Sequence, residues 1–150
     1  MKGIVKIAAT VMATMAAVAL LAVAASAGAA TRTLVGTFKD DADSSVSMRV
    51  KHAHGEWFVR GFSADEIPIS CAELTEARLS TTAIAGLAPI DDAGKFKLSG
   101  VEGETEVRVA GRLLSKHSAR GRFRYLGPTE VDGETLDCDS GALKWTAARE

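Results

Sequence analysis

Ser45-Val46-Ser47-Met48-Arg49-Val50-Lys51 alternates apolar and polar residues without a break. In an extended chain successive side chains point to opposite faces, so Val46, Met48 and Val50 share one face and Ser47, Arg49 and Lys51 the other. This is the signature of a strand with one buried and one wet face; a helical period of 3.6 would scatter it. The same period recurs on both sides. His52-Ala53-His54-Gly55 is a short polar segment suited to a hairpin turn, and Glu56-Trp57-Phe58-Val59-Arg60-Gly61-Phe62 follows it as a second strand. Ile67, Ile69 and Cys71 alternate with Pro68 and Ser70. Asp91-Asp92-Ala93-Gly94 is a turn leading into Lys95-Phe96-Lys97-Leu98. Val107, Val109, Gly111 and Leu113 oppose Glu106, Arg108 and Arg112; Arg120-Gly121-Arg122-Phe123-Arg124-Tyr125 alternates again, and Leu143, Trp145 and Ala147 close the pattern.

Glycine stands two places before a large apolar residue at Gly36–Phe38, Gly94–Phe96, Gly121–Phe123 and Gly111–Leu113. Both members of each pair share a face, and such a glycine leaves room for a sharp bend or for a bulky neighbour crossing the strand. The spacing is too irregular for a repeat protein. Between Ala72 and Ala88 two readings stay open: Cys71, Leu74, Arg78 and Leu79 could line a short helix, whereas Thr81-Thr82-Ala83-Ile84 favours extended chain. Seven to nine short strands joined by turns give an all-β antiparallel fold, either a β-sandwich or a partly closed β-barrel. One disulfide linking distant strands suits two facing sheets and inclines the reading to the sandwich.

The N-terminus follows a different pattern. Lys2 and Lys6 precede an apolar run from Ile7 to Ala25 broken only by Thr10 and Thr14, and Ala25-Ser26-Ala27 supplies the small residues a signal peptidase requires. The expected arrangement is a signal peptide over 1–27 and a single β-domain over 28–150, with an uncleaved membrane anchor as the alternative. Removing 27 of the 150 residues leaves one domain's worth of chain and no membrane span. It also removes two lysines, so 16 basic residues face 19 acids and the formal charge becomes −3, which argues against a general nucleic-acid binder. Export places the protein outside the cell or in the envelope or periplasm. There, Cys71 and Cys138, the only two cysteines, form one structural disulfide.

Cys138-Asp139-Ser140-Gly141-Ala142-Leu143-Lys144-Trp145-Thr146-Ala147-Ala148-Arg149 forms a C-x-S-G-x-φ-x-W-T-A-x-R ending, where φ is apolar, preceded by Gly111–Leu113 and Ala119–Phe123. Over roughly residues 35–149 the chain resembles small exported bacterial β-domains, mostly uncharacterised. The resemblance implies export, a disulfide and a β fold. It brings no catalytic residue with it.

Candidate chemistry centres on one surface. Arg120, Arg122 and Arg124 fall on one side of a strand; if the preceding strand pairs with it as a hairpin, Arg108 and Arg112 join them. Each guanidinium offers a planar fork of donors for carboxylates or phosphates, so this face could grip an anionic envelope polymer or a lipid headgroup. Glu104 and Glu106 dilute its field, and a solvated face that discourages edge pairing would carry the same charges. His52 and His54, two apart, could share a metal with a third ligand such as His117, but they flank a turn where exposed polar residues are expected, and zinc ordinarily takes three or more protein ligands. Asp40, Asp41 and Asp43 hint at calcium, yet counting from Asp40 the loop lacks both the glycine and the glutamate an EF-hand needs. No nucleophile elbow, zinc-protease helix or phosphate loop is present. Aromatic residues are few, which disfavours a sugar-stacking surface. The sequence therefore points to a non-enzymatic domain with no cofactor that binds a polymer or protein partner. A carrier with an apolar cavity and a small secreted enzyme are the rivals. The carrier requires Trp57, Phe58 and Trp145 to line a void.

Overall fold

The computed structural model describes residues 30–150. The expected signal peptide, 1–27, lies outside them. Nine strands follow in order: β1 (Ala30–Phe38), β2 (Asp41–Ala53), β3 (Glu56–Cys71), β4 (Thr75–Pro89), β5 (Lys95–Glu102), β6 (Thr105–Ser115), β7 (Ser118–Val131), β8 (Glu134–Asp139) and β9 (Leu143–Ala148). All pairings are antiparallel. They form one sheet in the order β4-β3-β2-β1-β9-β7-β6-β5, and β8 lies off this path, paired with both β3 and β7.

That bridging strand curls the sheet into a partial ring. Of the two architectures left open above, the single curled sheet is present rather than two facing sheets. The disulfide Cys71–Cys138 joins residues 67 apart in sequence, at a point where β3 and β8 are paired through only Ser70↔Asp139 and Cys71↔Cys138. A disulfide between distant strands thus closes a ring here instead of pinning two layers. The ring is not a full barrel: no ladder among the described residues joins the sheet's two ends, β4 and β5. They come close enough that a Cβ added at Gly100 would lie 3.6 Å from Ile84 Cγ2, and one added at Gly86 would lie 3.5 Å from Leu98 Cδ2.

The strands are longer than the turn signals implied, up to 16 residues in β3. The open segment after Cys71 is a three-residue 3₁₀ turn, Ala72–Leu74, and then strand. β-branched Thr75, Thr81, Thr82 and Ile84 suit the pleated surface, and twelve pairs with β3 override any helical spacing.

The inward faces carry the core expected from the alternation. Val46, Met48, Val50, Phe38, Phe96, Val107, Val109, Phe123 and Trp145 are all buried, each such aliphatic or Phe side chain contributing roughly 1.5–3 kcal/mol. The glycines make room for the largest of them. A Cβ at Gly121 would stand 2.6 Å from Trp145 Cζ2 and 2.1 Å from the Ala110 carbonyl oxygen, and one at Gly111 would stand 2.8 Å from Trp145 Cζ2 and 2.5 Å from Phe96 Cζ. β6 and β7 therefore present bare backbone to the indole. Trp145 packs at 5.3 Å from the Phe62 ring centroid and 6.3 Å from that of Phe96. Its Nε1 is buried without a hydrogen-bond partner among the described residues. Trp57 packs against this core from its edge. It sits half-buried at one end of the ring, with the His52 ring at 4.6 Å and the Arg32 guanidinium at 5.6 Å.

Candidate anion-binding site

Antiparallel register converts the alternation of β6 and β7 into a two-dimensional array. Arg112 lies directly opposite Arg120, and Arg108 directly opposite Arg124; Ala110 faces Arg122. All five arginines are exposed on the outer face of the sheet, the face away from Val107, Val109, Phe123 and Tyr125. The structure thus brings the sequence-selected arginines together on one surface.

It also divides them. Arg124 makes a bidentate pair with Asp139, Nη2 to Oδ2 at 2.6 Å and Nε to Oδ1 at 3.1 Å. That contact, helped by the Gly141 N–H, holds the Asp139 carboxyl below its ordinary value against the opposing effect of burial. Arg108 donates from Nε to Glu106 Oε1 at 2.5 Å. Arg112 spends its Nε on the Ala93 carbonyl at 2.7 Å and has no acid. Arg120 and Arg122 have no ion pair among the described residues, where the salt bridges are Arg78–Asp41, Arg108–Glu106 and Arg124–Asp139.

Neighbouring strands add cations that the hairpin reading did not supply. Lys95 on β5 stands opposite Arg112, and Lys144 on β9 stands opposite Arg122. Two rows result. One runs Lys95, Arg112, Arg120, Thr146 and Thr37 across β5, β6, β7, β9 and β1; the other runs Lys97, Ala110, Arg122 and Lys144. The Lys39 N–H donates to the Lys144 carbonyl at 2.8 Å, which sets Lys39 at the end of the second row. Residues directly opposite on adjacent strands have Cβ atoms about 4.5–5.5 Å apart, and like charges so placed destabilise a sheet. Lys95/Arg112, Arg112/Arg120 and Arg122/Lys144 are three such pairs with no carboxylate between them.

Around these rows the surface sinks into an open trough of about 670 Å³. Ala110, Gly111, Gly121, Thr37 and Thr146 line it together with Phe38 and Trp145, and Lys39, Lys95, Arg112, Arg120, Arg122 and Lys144 supply the charge. Asp40, at the β1–β2 turn, is the single acid lining it.

The other candidates fall elsewhere. His52 stacks on Trp57, His54 sits at a hairpin tip with φ of 53°, and His117 lies in the β6–β7 turn. Local desolvation, then Lys116, Arg32 and Arg149, hold the His117 imidazole below its ordinary pKa. No group of three or more His, Cys, Asp or Glu among the described residues could hold a metal ion. Asp41 accepts both Nη groups of Arg78, at 3.1 and 3.2 Å, while Asp40 and Asp43 are exposed at the turn and the start of β2. Glu102 and Glu104 lie exposed around the β5–β6 turn.

No protein family, curated protein or solved structure matches this chain.

Proposed function

We propose that this protein is an exported, non-enzymatic β-domain whose outer face recognises an anionic partner. The carrying observation is the pair of uncompensated cation rows across β5, β6, β7 and β9. A sheet that needed only a solvated face would intersperse acids, as it does at Glu106/Arg108 and Asp139/Arg124. Leaving Arg112, Arg120, Arg122 and Lys144 without an acid keeps donors, other than the Arg112 Nε given to Ala93, free for an incoming anion. The leader-like 1–27 segment and the Cys71–Cys138 bridge support an oxidising compartment as the place of action.

Packing favours surface recognition over an internal carrier site. Phe38, Phe62, Phe123 and Trp145 fill the interior, with Phe38 and Phe123 ring centroids 5.5 Å apart. Glu106 and Asp139, the acids beside the arginines of the face, are held by Arg108 and Arg124, which leaves Asp40 as the one acid lining the trough without an ion pair among the described residues. The test is retention on immobilised heparin at low salt. The parent should be retained and an Arg112/Arg120/Arg122 triple alanine variant released early; a parent that passes straight through at low salt would refute the reading.

A further inference from the structure

We propose that the trough is a site for a linear polymer of tetrahedral oxyanions, phosphate or sulfate groups, lying across the strands and gripped first between Arg112 and Arg120. This deepens the anion-recognition reading and rests on it. Arg124 shows what a carboxylate does on this sheet: one planar guanidinium saturates both oxygens of Asp139. Arg112 and Arg120 stand as adjacent guanidiniums with no acid. A carboxylate placed between them lies in one plane and matches one fork. A tetrahedral oxyanion presents oxygens in several directions, so it can accept from both at once and screen their repulsion.

The direction and length of the ligand follow from the layout. Cations recur across the strands, from Lys95 through Arg112 to Arg120 and from Arg122 to Lys144, at the roughly 4.8 Å spacing of neighbouring strands. Along β7 the same side recurs only every second residue, and Arg124 is already engaged. A single small anion fills one station; a chain fills both rows. Gly111 and Gly121, opposite each other between the rows and without side chains, leave the trough room for a polymer backbone that a flat membrane surface would not enter.

The experiment measures binding of long-chain inorganic polyphosphate, dextran sulfate, poly-L-glutamate, pyrophosphate and anionic lipid vesicles at fixed ionic strength. Three proteins are compared: the parent, Arg112→Gln/Arg120→Gln, and Arg108→Gln/Arg124→Gln. The two variants lose the same formal charge. The parent should bind polyphosphate and dextran sulfate more tightly than the other three probes. The Arg112/Arg120 variant should lose at least about tenfold, with a shallower salt dependence, whereas the Arg108/Arg124 variant should change no more than about twofold. Equal losses in the two variants would overturn the trough while leaving general anion recognition standing. Poly-L-glutamate binding as tightly as polyphosphate would overturn the oxyanion preference, and pyrophosphate or vesicles matching the polymers would overturn the linear ligand. Absence of binding to every probe would remove the broader reading as well.

Discussion

Removing both cysteines, as Cys71→Ala/Cys138→Ala, should cost a large share of this domain's stability. The bridge closes a loop of 67 residues. In the chain-entropy treatment a loop of that size restricts the unfolded chain by about 4 kcal/mol. Both positions are buried, at 7% and 2% exposure, so alanine avoids the unpaired hydroxyls that serine would leave there. Local backbone pairing cannot take over the role, because β8 meets β3 at only two register pairs, whereas six hold it to β7. With about 120 folded residues, the entropy of unfolding near the midpoint is about 0.25 kcal/mol per kelvin, so the melting temperature should fall by roughly 15 °C. The assay is thermal unfolding by circular dichroism under non-reducing conditions, with amide exchange at Ser70, Cys71 and Asp139 as a local readout. Those amides should exchange faster in the variant before global unfolding begins. A variant melting within about 2 °C of the parent would refute the argument that the covalent link closes the ring.

Other perturbations separate the forces at work. Gly121→Ala should prevent stable folding, because its Cβ would meet the Ala110 carbonyl and Trp145 at 2.1 and 2.6 Å, whereas Gly133→Ala, with nothing within 4 Å, should lose only about 1 kcal/mol from its φ of +83°; urea melts of both variants check this. Arg112→Thr/Arg120→Thr should melt higher than the parent at low salt, with the gain vanishing as salt rises, because like charges are removed. Arg124→Thr should melt lower, since it frees Asp139. The Asp139 carboxyl is held below its ordinary value chiefly by Arg124, so its share of stability is complete above the usual carboxylate range near pH 4 and lost as pH falls through the depressed value. Comparing acid unfolding of the parent with Arg124→Gln should show that part of the acid transition disappearing in the variant.

The strand pattern was legible because burial on one face imposes a period of two that composition cannot hide. Val46, Met48, Val50, Phe123 and Trp145 are inside, and Arg120, Arg122 and Arg124 outside, as the alternation requires. What alternation does not contain is which strand lies next to which. β9 inserts between β1 and β7, far from either in sequence. Lys144 was therefore visible as outward-facing, but not as the neighbour of Arg122. The same gap hid Lys95 beside Arg112, although Lys95-Phe96-Lys97 carries the outward-cation pattern that would have flagged it. The partners of Arg108 and Arg124 show the complementary limit. Glu106 sits two residues from Arg108, within a strand-face distance that sequence can suggest. Asp139 reaches Arg124 only because β8 folds back along β7. The segment from Ala72 to Ala88 was ambiguous because Cys71, Leu74, Arg78 and Leu79 fit a helical spacing while Thr81–Ile84 favours extended chain, and pairing with β3 decides it for all but the Ala72–Leu74 turn.

Anion binding in the trough is tested by titrating the isotope-labelled protein with polyphosphate and following its backbone amides by NMR. Shifts concentrated at Lys95–Lys97, Ala110–Arg112, Arg120–Arg122 and Lys144–Thr146, on both sides of the trough, are the predicted result. Shifts confined to the Trp57 end of the ring, or none at low salt, would contradict the account.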